Sequence, residues 1–124
     1  EICGEHAPLC TTGIGKAILA NLPPEEWLSR LPEIIPAHTP QTITDKDKIL
    51  QELQRTRERG FAIDNSEHEV NVRCVGVPVY NARGALVAGI SSSGAVQVMT
   101  DRKVMECADI LMGITQRIKE RLYA

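Results

Sequence analysis

The stretch that decides the fold is residues 60–94, GFAIDNSEHEVNVRCVGVPVYNARGALVAGISSSG. Within it, residues 72–80 and 85–93 are rich in valine, isoleucine and small side chains, a composition that is typical of β-strands. Between them, residues 81–84 read Asn-Ala-Arg-Gly, a turn sequence that ends in glycine. The stretch therefore predicts a β-hairpin, preceded by a short strand at residues 61–63.

One face of this hairpin carries polar side chains. Successive residues of a strand point to opposite faces, so Cys74 shares a face with Val72, and Ser91 shares a face of the next strand with Ser93. Asp64 follows the short first strand. Together these groups suggest a ligand pocket. The alternative is that the serines mark a strand emerging into water, while Cys74 is a small buried hydrophobe.

A second chemical feature is the Thr-Thr-Gly-Ile-Gly-Lys turn of residues 11–16, which leads into an apolar helical run at residues 17–20. Thr12 is the expected N-cap. A nucleotide-binding P-loop is excluded, because Cys10 stands where the first glycine belongs and Ala17 where the final hydroxyl belongs. The free amides of a helix N-terminus favour a small anion, which glycines allow to approach. Close packing of the helix on a sheet is the other interpretation.

The remaining chain predicts three more helices. Two prolines start a short helix within residues 23–28, since proline suits the first helical turn. Residues 44–47 cap a helix whose apolar stripe ends at Gly60. A long helix at residues 100–123 has an apolar stripe broad enough to pack across a sheet. Residues 31–43, which contain several prolines, indicate an irregular connection.

Composition limits the classes of function. A chain of 124 residues allows one domain with one substantial core. The 14 basic and 16 acidic residues give a net charge of -2 without a basic stripe, which argues against nucleic acid as a direct partner. No apolar run approaches the roughly 20 residues of a membrane helix, and the first residues do not resemble a signal peptide. We therefore expect a soluble, cytoplasmic protein that does not contact a membrane.

The four cysteines, Cys3, Cys10, Cys74 and Cys107, are scattered without a C-x-x-C pair, so a disulfide framework is not expected. Cys3, His6 and Cys10 lie close together in sequence, but a structural zinc site needs a fuller set of clustered ligands. We interpret this segment as a loop with a solvated histidine. Neither a metal nor a cofactor is expected.

Two motifs resemble the effector-binding domain of IclR-type transcriptional regulators: P-L-C-T-T-G-I-G-K-A-I-L-A, and the later D-N-S-E-H-E-V-N-V-R-C-V-G-V-P-V-Y-N-A-R-G-A-L-V-A-G-I-S-S-S-G. The resemblance covers nearly the whole chain. It implies an α/β (α+β) domain with helices packed on an antiparallel sheet, of GAF-like or profilin-like type. On this basis residues 1–124 form an effector domain that lacks its first strands. The winged helix-turn-helix domain of the family would lie outside this chain.

The same resemblance implies a sensor and not an enzyme. A small metabolite would bind, and its presence would control DNA binding by the separate domain, in a homodimer or homotetramer. Family ligands include 2-oxo acids, sugar acids and aromatic acids, and we expect a small carboxylate. The positions that match the ligand contacts of the family are Gly13, Ile14, Asp64, Val72, Cys74, Ser91 and Ser93. Lys16 belongs to the same motif and is expected to be structural.

Three positions depart from the usual pattern of the family. Ser66 stands where a second acidic residue is common, and Asn71 stands where glycine is common. Ile14 replaces what is usually a smaller residue, so the pocket wall is bulkier and the identity of the effector cannot be copied from a relative.

The polarity of the pocket predicts how the effector lies in it. Free amides only donate hydrogen bonds, so we expect the effector carboxylate at the amides of residues 13–15. An ionised Asp64 would repel a carboxylate placed beside it, but Asp64 can accept from a hydroxyl group or, when protonated, donate to an oxo group. Asp64, Ser91 and Ser93 are therefore expected at the oxo or hydroxyl end.

Two other functions stay open. The first is an enzyme that uses Cys74 as a nucleophile, assisted by Asp64 or His68. Such a thiolate needs a nearby cation, helix N-terminus or base, whereas Arg73 points to the opposite strand face. The second is a dimerisation module without a ligand, which would leave the convergence of Asp64, Cys74 and Ser91 unexplained.

Overall fold

The computed structural model describes residues 9–123, in which a three-stranded antiparallel sheet lies between two helical layers. The strands are β1 (Ala62–Asn65), β2 (Val72–Tyr80) and β3 (Leu86–Ala95), in the spatial order β1-β2-β3. The helices are α1 (Gly13–Ala20), α2 (Trp27–Arg30), α3 (Lys46–Arg59) and α4 (Asp101–Arg121), and a 3-10 turn at Pro24–Glu26 leads into α2. The predicted α+β class is confirmed.

The predicted hairpin is confirmed. β2 has the predicted bounds, and β3 extends to Ala95. In the turn between them, the side-chain oxygen of Asn81 accepts from the backbone N–H of Arg83 at 3.0 Å and of Ala85 at 2.9 Å. Gly84 has a φ of 82°, a left-handed conformation that glycine adopts without steric cost. These turn contacts explain why the chain reverses where the sequence predicted.

The predicted helix caps are also confirmed. Thr12, Asp45 and Thr100 each accept a hydrogen bond from a backbone N–H in the first turn of α1, α3 and α4, respectively. A cap of this kind stabilises a helix by about 1 kcal/mol. Gly60 ends α3 with a φ of 89°. Residues 31–43 form neither helix nor strand, as expected.

Two hydrophobic clusters hold the layers together. On one side of the sheet, Val75 and Val77 of β2 pack against the Val104, Ala108 and Leu111 stripe of α4. The other cluster joins α1, α2 and α3 and includes these buried residues: Cys10, Leu19, Ala20, Trp27, Leu31, Ile35, Ile49 and Leu53. Because Val75 and Val77 alternate with Cys74 and Gly76 along β2, the latter pair faces α1. The chemistry of the hairpin therefore lies on the α1 side.

Cys10, Cys74 and Cys107 are free thiols. Cys3 and His6 lie outside the described residues, so the suggested zinc trio is not tested. Within residues 9–123, no group of three or more potential metal ligands is found. In the same range, no helix is both long enough and apolar enough to cross a membrane.

Candidate functional site

The strand register brings the predicted polar residues into two neighbouring rows on one face of the sheet. Asp64 of β1 lies opposite Cys74 of β2, and Cys74 lies opposite Ser93 of β3. The next row on this face joins Gly76 to Ser91. Asp64, Cys74, Ser91 and Ser93 therefore form one polar patch, which the alternation along the strands predicted.

Helix α1 meets this patch through its glycines. A Cβ atom on Gly76 would lie 2.3 Å from the carbonyl oxygen of Gly13 and 2.8 Å from the amide nitrogen of Ile14. A Cβ atom on Gly13 would lie 2.8 Å from the sulfur of Cys74. Real side chains do not fit at these distances, so the glycines allow the N-terminus of α1 to touch the sheet. The close-packing interpretation of the glycine turn is thus confirmed.

A cavity of about 170 Å³ lies between the start of α1 and the polar patch. All seven predicted residues line it: Gly13, Ile14, Asp64, Val72, Cys74, Ser91 and Ser93. Thr12, His68 and Glu69 also line it and were not among the predicted contacts. His68 and Glu69 lie in the D-N-S-E-H-E motif just after Asp64, and that proximity was the signal that could have found them.

Asp64 is buried and lines the cavity. Its Oδ1 accepts a hydrogen bond from the backbone N–H of Glu67 at 2.8 Å. Burial raises the pKa of the Asp64 carboxyl, and the backbone hydrogen bonds from Glu67 and His68 and the charge of Lys16 offset only part of this rise. Asp64 thus carries its proton at higher pH than an exposed aspartate does.

The thiol of Cys74 is protected and not activated. Burial raises the pKa of Cys74, and the charge of Asp64 raises it further. Hydrogen bonds from Ser91 and from the Gly13 amide act in the opposite direction, but the net shift is upward. The Nδ1 of His68 lies 3.3 Å from the hydroxyl of Thr11. These surroundings disfavour the thiolate that a nucleophilic cysteine needs.

The amides at the start of α1 are not all free, which corrects the predicted anion site. The N–H of Gly15 donates to the hydroxyl of the N-cap Thr12 at 3.0 Å. An anion would have to compete with this N-cap for the same donor. The N–H of Gly13 is directed at the sulfur of Cys74. An anion at this helix end would meet Ile14 and Gly13, but not Gly15.

A buried ion pair stands behind Asp64. Lys16 is fully buried, and its ammonium group lies 2.9 Å and 3.1 Å from the two carboxylate oxygens of Glu67. It also donates to the carbonyl oxygen of Ile63 in β1. Glu67 Oε2 accepts from the N–H of Asn65 at 2.9 Å. Burial raises the pKa of Glu67 and the charge of Lys16 lowers it, so the carboxyl has a cation partner but little water.

The comparison with protein families agrees with this geometry. Residues 2–120 match the family described as the C-terminal domain of the bacterial transcriptional regulator IclR. The chain belongs to the IclR C-terminal family.

Individual IclR-type proteins match over nearly the whole chain. The transcriptional regulator BhcR of Paracoccus denitrificans is 34% identical over 110 residues, which are 88% of this chain and 39% of BhcR. The crystal structure of Thermotoga maritima IclR is 38% identical, with a TM-score of 0.84, and the match covers 94% of this chain and 47% of that one. This chain therefore spans less than half the length of these IclR-type relatives.

A third match is the inducer-binding domain of the transcription factor PobR from Acinetobacter, a double mutant solved in complex with 3-hydroxybenzoic acid. It shares 24% identity with this chain, with a TM-score of 0.86, and the match covers 94% of this chain and 67% of that one. At this identity the match establishes a common fold.

The two loop positions at which this chain departs from the usual IclR pattern both have unusual backbones. Ser66 has a φ of 58° and Asn71 a φ of 64°. Asparagine tolerates the left-handed region better than most side chains, so Asn71 can replace the glycine that is common there. The hydroxyls of Thr39 and Thr42 each donate at 2.5 Å, to the carbonyl oxygens of Ser66 and Glu67. The loop over the cavity is therefore held in place by hydrogen bonds from the irregular segment of residues 31–43.

A larger groove, about 470 Å³, runs along the end of α4 and is lined by Ile114, Arg117, Ile118, Arg121 and Leu122. These residues lie in the C-terminal part of α4, except for Leu122, which is the C-cap of that helix. No second element contributes a polar group that would orient a small ligand there. The smaller cavity at α1, by contrast, is lined by residues from three strands, a helix and a loop.

Proposed function

We propose that this chain is the effector-sensing domain of an IclR-type regulator and that a small carboxylate metabolite binds in the cavity at α1. The observation that carries the proposal is the register row of Asp64, Cys74 and Ser93 facing the N-terminus of α1 across this cavity. Pockets for drug-sized ligands are usually larger than about 300 Å³. A cavity of about 170 Å³ suits a metabolite of only a few heavy atoms.

The cavity has a donor end and an end that can either donate or accept. The carboxylate of the effector lies at the N–H groups of Ile14 and Gly13. The sulfur that Gly13 now faces is a weak acceptor, so a carboxylate oxygen displaces it with a gain in hydrogen bonding. The hydroxyls of Ser91 and Ser93 and the carboxyl of Asp64 contact the oxo or hydroxyl group at the other end.

The output of the domain is control of transcription. The protein that contains it works in the cytoplasm as an oligomer, and DNA is bound by a domain outside this chain. Support comes from the family and from relatives such as BhcR, which is named a transcriptional regulator. The chain itself has a net charge of -2, which does not favour contact with DNA. PobR shows that this fold accommodates a hydroxylated carboxylic acid.

The test is a thermal-shift screen of the protein with small 2-oxo, 2-hydroxy and aromatic acids, followed by titration calorimetry of the acids that stabilise it. Ser93→Ala should weaken binding, because Ser93 lines the cavity. Ser92→Ala is the matched control, because Ser92 pairs with Val75 and points to the other sheet face. If no acid binds, or if both serine variants bind equally well, the cavity is not the effector site.

The structure gives no reason to prefer an enzyme that uses Cys74, since the thiol has a raised pKa. We propose that the domain has no catalytic activity. Incubation of the protein with each acid that binds should therefore leave the acid unchanged. Consumption of the acid that stops in Cys74→Ser would establish the enzyme instead.

A further inference from the structure

The buried pair of Lys16 and Glu67 is the feature of the site that the proposed function leaves unused. Burial of an ion pair is costly, and such a pair contributes less to stability than its short distances suggest. It lies directly behind Asp64, since Glu67 donates its backbone N–H to the Asp64 carboxylate. The pair is therefore placed to affect the pKa of Asp64.

The carboxylate that Lys16 contacts directly is that of Glu67. Both carboxylate oxygens of Glu67 lie within 3.1 Å of the ammonium nitrogen, and the third contact of that nitrogen is the Ile63 carbonyl. No hydrogen bond joins Lys16 to Asp64 among the described residues. Asp64 therefore faces the cavity with backbone donors but without a direct cation partner.

Other titratable groups surround Asp64 on every side. Glu67 and His68 follow it in the loop, Lys16 reaches it from α1, Cys74 faces it from β2, and Glu69 lines the same cavity. Lys16 is the one buried cation in this set. How its charge is shared between Asp64 and Glu67 therefore has a strong effect on the charge of Asp64.

We propose that Glu67 is a specificity-determining residue: by holding Lys16, it leaves Asp64 able to keep a proton and to donate it to an oxo group of the effector. This inference rests on the proposed function of the cavity. A protonated carboxyl donates a hydrogen bond to an oxo group, whereas a carboxylate accepts one from a hydroxyl. The pair thereby raises the preference of the site for 2-oxo acids over the corresponding 2-hydroxy acids at a given pH.

Removing the charge of Glu67 should lower this preference for oxo acids. In Glu67→Gln, the positive charge of Lys16 is no longer neutralised and acts on Asp64, so the pKa of Asp64 falls. The protonated form is then lost at lower pH. Above the pKa, each unit of downward shift lowers the protonated fraction about tenfold, so the affinity ratio of oxo to hydroxy acid should fall about tenfold.

The experiment measures the dissociation constants of pyruvate and lactate, as a matched oxo and hydroxy pair, for wild type and Glu67→Gln by calorimetry. The pH is varied from about 4, the ordinary pKa of an aspartate, to about 8, because the pKa of Asp64 is raised. In the wild type, binding of pyruvate should weaken relative to binding of lactate as pH rises through the pKa of Asp64. In Glu67→Gln, the weakening should begin at lower pH, and the ratio at neutral pH should shift towards lactate.

Two further variants separate tuning from general damage. Glu52→Gln removes a carboxylate from another short ion pair, with Arg59 at 2.9 Å, which has no contact with Asp64, so the ratio should not change. The double variant Lys16→Met with Glu67→Gln removes both charges and should restore the preference of the wild type. If Glu67→Gln does not fold, Glu67→Asp should give a smaller shift in the same direction.

The outcomes separate the proposed effector site from the proposed role of Glu67. If wild type binds neither acid nor any homologous pair of acids, the proposed function fails. If wild type binds the acids but the ratio stays the same in Glu67→Gln or Glu67→Asp, or moves equally in Glu52→Gln, the role of Glu67 is refuted while the effector site stands.

Discussion

Asp64 and Cys74 face each other across β1 and β2, although the two strands are joined by the loop that covers the cavity. Each side chain affects the other: the charge of Asp64 contributes to the raised pKa of the Cys74 thiol. Both groups have raised pKa values, so the thiol is not activated as a nucleophile, and the pair is suited to binding a ligand.

Modification of Cys74 should block the effector without touching any catalytic step. Alkylation places a bulky group in a cavity of about 170 Å³, so binding of the acid should be lost. Cys74→Ser should fold and bind, more weakly, because serine keeps a small polar group. Cys107→Ser is the control, since Cys107 packs on the α4 side of the sheet. Retained binding after stoichiometric alkylation of Cys74, verified by mass spectrometry, would place the ligand elsewhere.

Gly76→Ala should destabilise the protein. The new methyl group would meet the carbonyl of Gly13 at 2.3 Å, so α1 has to move away from the sheet. Overpacking of this kind typically costs about 1–3 kcal/mol. Gly113→Ala is a matched control in α4, where nothing lies within 4 Å of the added Cβ, and it should gain about 0.5–1 kcal/mol. Urea unfolding of both variants measures the difference, and equal stabilities would contradict the close approach of α1.

Lys16→Met should lower the free energy of unfolding by about 3–5 kcal/mol, because it leaves the buried carboxylate of Glu67 without its partner. Adding Glu67→Gln to Lys16→Met should recover part of this loss, since the uncompensated charge is then gone. Urea denaturation of the single and double variants gives the coupling free energy. A loss from Lys16→Met that is no larger than the loss from Lys48→Met, an exposed lysine, would show that the buried pair is not formed.

The stability should depend on pH through Asp64. Because the pKa of Asp64 is raised in the folded state, the folded protein binds more protons than the unfolded chain between the unfolded pKa, about 4, and the folded value. The contribution of Asp64 to stability is therefore present at low pH and is lost as pH rises through the folded pKa. Asp64→Asn should thus gain stability relative to wild type as pH increases.

Chemical denaturation of wild type and Asp64→Asn over this range of pH measures that difference. Asp109→Asn, which removes an exposed carboxylate of α4, controls for the change in net charge. If Asp64→Asn instead loses stability relative to wild type as pH rises, folding lowers the pKa of Asp64 and this account is wrong.

Much of the fold was predictable because it depends on local patterns. The alternation along residues 72–80 fixed which side chains share a face, and Thr12, Asp45 and Gly60 marked helix ends through their own backbone chemistry. The polar patch followed from the same alternation. These features depend on neighbours within a few residues, which a sequence displays directly.

Other features depended on contacts between distant segments. The pairing of Lys16 with Glu67 joins α1 to a loop 51 residues away, and no periodicity indicates that this loop turns inward. The predicted anion site included the N–H of Gly15, but this group donates to the Thr12 hydroxyl instead. The N-cap and the anion need the same donor. His68 and Glu69 reach the cavity only because the loop closes over it.

The central claim is that an acid binds with its carboxylate at the N–H groups of Ile14 and Gly13, and its most direct test is calorimetric titration with the best acid and its amide. Each charge-assisted hydrogen bond is worth about 1.5–3 kcal/mol, so the acid should bind at least about tenfold more tightly than the amide. Equal affinity of the amide and the acid would contradict this account.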